Sequence, residues 1–188
     1  GLSSNGTGVA AEFDAKTGVR LKFGFQQSNT DATNLSDSMY TLSEVGYTFT
    51  PFALPEGNYR VWFRTDNTAD DAIRKGVGIS VDQKLTPVIG LFGRYGTQEL
   101  AVGRDRFFSA GIGFQNGLTI SPLDAWGVGY AQMEMESGDR EKLTEGYYNF
   151  YLTEKLRLSF HLTHVLDSPE TESKFGYVLP GVRFQASF

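Results

Sequence analysis

The stretch LRLSFHLT, residues 156–163, decides the fold. Leu156, Leu158, Phe160 and Leu162 point one way, and Arg157, Ser159, His161 and Thr163 point the other. Alternation with period two is the pattern of a strand with one apolar and one polar face. The final segment GVRFQASF, 181–188, repeats it, with Val182, Phe184, Ala186 and Phe188 against Gly181, Arg183, Gln185 and Ser187. Phe184 and the terminal Phe188 mark that segment as the closing strand of a barrel standing in lipid.

The same alternation runs outward along the chain. VRLKFGFQ sets Val19, Leu21, Phe23 and Phe25 against Arg20, Lys22, Gly24 and Gln26. NYRVWFR sets Tyr59, Val61 and Phe63 against Asn58, Arg60, Trp62 and Arg64, and SAGIGFQ behaves alike. A tilted strand crosses a bilayer in about nine to eleven residues, and these runs have that length. About eleven strands are predicted, near 8–15, 19–28, 39–51, 57–66, 76–83, 88–97, 105–116, 122–134, 144–153, 156–166 and 175–188.

Composition agrees with an all-β chain. The 188 residues include 22 Gly, 15 Phe and 9 Tyr but only 6 Pro, and charged residues make up 21%. No apolar run approaches the eighteen or so residues of a spanning helix. That excludes a helical membrane protein and leaves a barrel open, because barrel strands average lipid-facing and lumen-facing residues. There is no cysteine, hence no disulfide or thiolate metal site. The net charge of -5 argues against nucleic acid as a partner. The opening GLSSNGTG is polar and glycine-rich rather than a signal peptide, so either a targeting segment was removed or the start is internal, and the strand pattern favours the second.

The links separate membrane barrel from soluble sandwich. One class is short: AKTG (15–18), TPFALPEG (50–57), DQKLTP (82–87), NGLTISP (116–122) and TEK (153–155). The other is longer and more polar: SNTDATNLSDS (28–38), DNTADDAIRKG (66–76), TQELAVGRD (97–105), ESGDREKLT (136–144) and DSPETESK (167–174). Short periplasmic turns facing longer extracellular loops are a property of outer-membrane barrels. The C-terminus then lies in the periplasm and Gly1 outside, so either an odd number of strands is expected upstream, the favoured reading, or one of the eleven is misassigned. Five more would give roughly sixteen, where an aqueous channel opens.

Four stretches, in this order and spacing, resemble the carbohydrate-selective porins, the OprB-like family. They are EVGYTFTPFALPEGNYRVWFR (44–64), KGVGISVDQKLTPVIGLFGRYG (75–96), FSAGIGFQNGLTISPLDAWGVGYAQ (108–132) and EGYYNFYLTEKLRLSF (145–160). The resemblance covers most of residues 40–188 and matches the last two-thirds of such a porin. It implies a transmembrane antiparallel β-barrel in the bacterial outer membrane, of roughly sixteen strands, passing sugars and other small solutes passively. The whole of 1–188 then belongs to one barrel whose N-terminal strands lie outside this chain.

If the apolar phase faces lipid, the other phase lines the pore. Arg20, Lys22, Arg60, Arg64, Arg94, Arg157 and Arg183 then point inward, with Glu12, Asp14, Glu44, Asp82 and Glu145. These cations with Trp62, Phe92, Tyr147 and Tyr151 form the expected solute track: guanidinium forks donate to hydroxyls, and aromatic faces stack on sugar rings. The plainer alternative for each charge is cross-strand pairing that keeps the lumen wet. Tyr47, Phe49 and Trp126 fall outward near short turns, as an interfacial aromatic girdle requires, with ordinary sheet packing as the alternative. Gln132 and Glu134 break the outward phase beside a long loop and are expected above the hydrocarbon.

Enzyme chemistry finds little support. His161 and His164 lie on opposite faces of one strand and cannot chelate one metal. Ser159 and His161 share a face, but neighbours two apart on a strand stand roughly 7 Å apart, beyond hydrogen-bond reach. GIGFQNG opens no helix, so a phosphate loop is unsupported. DNTADD and DSPETES read as solvated loop charge, with calcium at the rim as the alternative. No cofactor is expected. The expected partners are the bilayer and lipopolysaccharide, small sugars or ions as permeants, and further copies in a homo-oligomer such as a trimer. A rival class is a structural barrel that anchors a partner without an open channel. A third is a soluble β-sandwich.

Overall fold

The structure is a computed structural model describing residues 8–27, 39–67, 73–100, 103–115, 121–168 and 176–186. Eleven strands form one sheet: β1 (Gly8–Asp14), β2 (Val19–Gln27), β3 (Met39–Phe49), β4 (Gly57–Asp66), β5 (Arg74–Lys84), β6 (Ile89–Glu99), β7 (Arg104–Gln115), β8 (Ala125–Glu134), β9 (Arg140–Thr153), β10 (Leu156–Asp167) and β11 (Tyr177–Ala186). Each strand pairs antiparallel with its neighbour in sequence, in the order β1 to β11 without a crossover. Phe188 lies outside the described residues.

Because directly opposed residues share a face, the register sorts every side chain. Leu21, Val45, Val61, Ile79 and Tyr95 follow one another across β2 to β6. One residue along, Lys22, Glu44, Trp62, Gly78 and Gly96 do the same on the opposite face. The sheet thus has an apolar face and a polar face, as the alternation in sequence predicts.

The apolar face is uncovered. Val182 is 68% exposed, Phe184 62% and Val61 53%, while Val165 is the single buried hydrophobic side chain among the described residues. A soluble sandwich would bury one face of each sheet against a second layer. Here no second layer packs on either face among the described residues. Leaving a large apolar side chain in water forgoes about 1.5–3 kcal/mol of burial, so a face of this kind needs an apolar medium. Rings cluster at one end of it: Tyr47 stacks on Phe49 at 5.1 Å, Phe49 meets Tyr59 at 4.8 Å, and Phe114 stacks on Trp126 at 4.2 Å. This is the end of the short-turn links.

The links depart from the two length classes expected. Leu100 N–H donates to Gly103 O (2.9 Å) between β6 and β7, and residues 135–139 form a tight turn closed by Met135 N–H to Asp139 O (2.9 Å). Gly138 sits in that turn with φ +88°, which a side chain would strain. The strands run on through the polar segments assigned to loops, so β9 begins at Arg140 rather than near 144. Charge does not stop a strand whose ladder remains paired. At the other end, residues 121–124 belong to the link before β8. Loop length alone therefore separates the two ends less sharply than the sequence suggests.

Candidate functional site

The polar face is built in rows across the hydrogen-bonded lattice. One row reads Arg20, Gly46, Arg60, Ser80, Arg94, Ser109 across β2 to β7. Arginine falls on every second strand, with a small residue between. Neighbouring strands lie about 4.7–4.9 Å apart, so the guanidinium stems stand two strand spacings from one another. Asp82 ties two of them together: its Oδ2 accepts from Arg60 and its Oδ1 from Arg94, both at 2.6 Å. Arg94 also donates to the carbonyls of Val81 (2.8 Å) and Gly93 (2.9 Å), which fixes its fork against the wall. Arg20 Nε stands 3.3 Å from Glu12 Oε1, an ion-pair distance without hydrogen-bond geometry. Lys22 reaches the same carboxylate at 3.7 Å.

Other rows set one aromatic ring against two glycines. Trp62 precedes Gly78 and Gly96, and Phe92 precedes Gly111 and Gly129. Tyr147 is followed in the reverse direction by Gly127 and Gly113. The rings lie down over these glycines. A Cβ at Gly78 would run into the Trp62 indole, and one at Gly96 would stand 2.9 Å from it. A Cβ at Gly111 would strike Phe92, and one at Gly127 would stand 2.9 Å from the Tyr147 ring. Each ring therefore presents a flat face away from the wall. Guanidinium groups flank two of them: Arg64 lies 5.9 Å from the Trp62 ring and Arg94 5.5 Å from Phe92, while Arg157 lies 4.4 Å from a further ring, Tyr151.

Two hollows open on this face. Trp62, Arg64, Gln98, Asp105 and Phe107 line one of about 200 Å³. Arg20, Asn58, Asp82, Phe92 and Tyr147 line another of about 420 Å³. Each combines a ring face with a cation and a carboxylate, the donors and acceptors that a polyhydroxylated solute needs. Beside the larger one, Glu145 accepts from Thr163 Oγ1 at 3.0 Å and lies 3.1 Å from His161 Nδ1, while Tyr147 stacks on His161 at 6.0 Å.

The fold resembles part of the porin OprB. The sheet superposes on the high-pH structure of Pseudomonas putida OprB with a TM-score of 0.77 at 14% identity, covering 96% of this chain and 58% of that one. Against the low-pH structure of the same protein the TM-score is 0.71 at 17% identity, with 96% and 55% covered. This chain thus spans little more than half the length of OprB. No family model matches the chain, and no curated protein matches it in sequence.

All sixteen side chains expected to point into a pore stand on the polar face. Arg20, Arg60 and Arg94 share one row, with Phe92 and Tyr147 at the larger hollow. Lys22 and Glu44 share the row of Trp62, and Arg64 joins Trp62 at the smaller hollow. Arg157 and Arg183 stand apart on β10 and β11, with Arg183 exposed opposite Ser159. Phe184 is on the apolar face, opposite Leu158. Ser159 faces Asn149 and Arg183 across the ladder, while His161 is engaged with Glu145. Among the described residues no three His, Cys, Asp or Glu side chains are grouped to hold a metal.

Sequence reasoning missed Gln98, Asp105 and the glycine floor. The spacing of Gly76 and Gly78, Gly111 and Gly113, or Gly127 and Gly129 at two residues was a signal that one face is bare, but only the register reveals the ring on it. It also missed Asp124, 1% exposed in the link before β8. Its carboxylate accepts from Tyr148 Oη (3.0 Å) and from Tyr151 N–H (2.9 Å). The signal was the Asp-x-Trp-Gly run itself.

Proposed function

We propose that these strands are a stretch of an outer-membrane porin wall, with the apolar face against lipid and the polar face lining a water-filled channel for carbohydrates and other small hydrophilic solutes. The observation that carries this reading is the set of rings laid flat on glycines, two of them flanked by guanidinium groups, on the reverse of a bare apolar face. Flat ring faces take the apolar face of a pyranose, and the arginine forks take its hydroxyls. Passage is passive, because a wall of this kind offers many weak contacts and no energy-coupled element. Lipid tolerates no open strand edge, so β1 and β11 find further partners, closing a barrel of roughly sixteen strands. Solutes then slide from the Trp62 hollow to the Phe92–Tyr147 hollow past the arginine row.

Planar-bilayer recording tests it. Steady single-channel conductance, reduced by added mono- or oligosaccharide, is the expected result, with Trp62→Ala weakening the sugar block several-fold. Loss of one stacking face is worth on the order of 1 kcal/mol, about fivefold in affinity. Insertion without conductance would replace the channel with a barrel that only anchors a partner.

A further inference from the structure

The apolar face is not apolar along its whole height. Every charged side chain that the described strands place on it lies at the end opposite the aromatic cluster. Lys75 stands there on β5, Arg104 and Arg106 on β7, and Arg140 and Lys142 on β9. Carboxylates occupy the strands between: Glu99 opposes Arg104, Glu134 opposes both Arg106 and Arg140, and Asp167 opposes Lys142. Cations on odd strands thus alternate with carboxylates on even ones, with the cations in excess.

These pairs lie at the surface, and those of Glu134 are long. Arg106 and Arg140 lie 3.9 and 3.6 Å from Glu134, with side chains 59% and 56% exposed. Arg104 meets Glu99 at 2.6 Å, yet both remain about half exposed. Exposed ion pairs of this type hold weakly, so the cations remain available to a stronger anion. Between β4 and β7 the band opens into an outward hollow of about 220 Å³, lined by Phe63, Lys75, Val77, Thr97, Glu99 and Arg104. Its floor is aliphatic and aromatic and its rim is cationic. That order, acyl chain below and phosphate above, is the order of a phosphorylated lipid.

We propose that this hollow binds a phosphate of lipopolysaccharide in the outer leaflet, held by Lys75 and Arg104 with acyl chain on Phe63 and Val77. The proposal rests on the porin reading, which puts this end outside the cell. The interleaved carboxylates select a saccharolipid over a simple phospholipid. They accept its sugar hydroxyls and share divalent cations with its closely spaced phosphates, whereas they repel an isolated phosphodiester.

The experiment measures binding of purified lipopolysaccharide, with phosphatidylglycerol as comparison, to the protein folded in detergent micelles. The variants are Lys75→Ala/Arg104→Ala and the charge-conserving Lys75→Arg/Arg104→Lys. The alanine variant is expected to bind lipopolysaccharide at least tenfold more weakly, with phosphatidylglycerol unchanged and the conservative variant close to the parent. Equal lipopolysaccharide binding by parent and alanine variant, or equal losses for both lipids, overturns the site. Heat-dependent gel mobility reports whether each variant is folded, and a misfolded double variant is replaced by Lys75→Ala alone under the same criteria. Conductance on the same samples separates the two readings: lipopolysaccharide binding unchanged in the alanine variant, with intact conductance, sinks the site and leaves the channel.

Discussion

On the apolar face, the row across β2 to β6 carries a bulky side chain on every strand; on the polar face, the rows over the same strands do not. Leu21, Val45, Val61, Ile79 and Tyr95 make a row of comparable bulk. The polar rows alternate Arg with Gly or Ser, or follow one ring with two glycines. Backbone and register are common to both faces, so the difference reports available space. When a sheet curls, side chains diverge on the convex side and converge on the concave side. Interiors of barrels accordingly alternate large and small. The polar face is therefore the crowded, concave one, and the arginines and rings owe their orientation to bare neighbours.

The largest effect expected from breaking this comparison comes from exchanging the solvents of the two faces. Val61→Arg places a charge on the apolar face near mid-strand and should lower stability in bilayers by about 2–4 kcal/mol. Gln98→Arg, on the polar face of β6, should change it by less than about 0.5 kcal/mol. Urea titration in lipid vesicles, followed by tryptophan fluorescence, measures both. Equal losses would mean that both faces are wet.

Alternation made the strands legible from sequence, because period two survives whatever partner a strand has. LRLSFHLT alone separates Leu158 and Phe160 from Arg157 and His161, and the structure keeps that division. The Trp62 floor was illegible for the converse reason. It depends on Gly78 and Gly96, fixed only by which residues of β4, β5 and β6 stand opposite one another. Strand ends were misjudged where charge continued the ladder, as at Arg140 and Lys142, since polarity marks a medium as well as a turn. The role of Asp124 was illegible for another reason: the Asp-x-Trp-Gly run marks the residue, but its two donors come from β9.

Asp124→Ala is the next largest effect. It leaves the Tyr148 hydroxyl and the Tyr151 N–H without their buried acceptor, which should lower stability by about 1–3 kcal/mol. Asp124→Asn keeps one acceptor oxygen and should lose less. A loss that is identical for both, or absent, would show that the carboxylate does not hold the link to β9.

Glycine substitutions compare the faces at fixed chemistry. Gly78→Ala sets a methyl under the Trp62 indole, while Gly93→Ala, on the apolar face of β6, meets no atom within 4 Å. The first should cost about 1–3 kcal/mol through overpacking and lift the ring, shifting tryptophan emission and weakening sugar block. The second should be neutral or stabilising by a few tenths of a kcal/mol, because alanine narrows the unfolded ensemble. If both behave alike, the two faces are equally roomy and the curvature inferred from their rows is wrong.

The smallest effect tests the arginine row by charge alone. Asp82 is the one carboxylate between Arg60 and Arg94, 2.6 Å from each, so Asp82→Asn removes a negative charge while keeping side-chain volume. Two guanidinium groups on the polar face are then less neutralised, and the proposed path should become more permeable to chloride relative to potassium. The reversal potential in a potassium chloride gradient reads this directly, and it should move toward the chloride equilibrium value. Salt sharpens the test. Screening shortens from about 10 Å at 0.1 M to about 3 Å at 1 M, so the shift should be clear in dilute salt and shrink in concentrated salt. A fixed shift at both concentrations would point to a change in channel shape. No shift at either would place the row away from the conduction path, which would leave the rings as the only part of this wall that a solute meets.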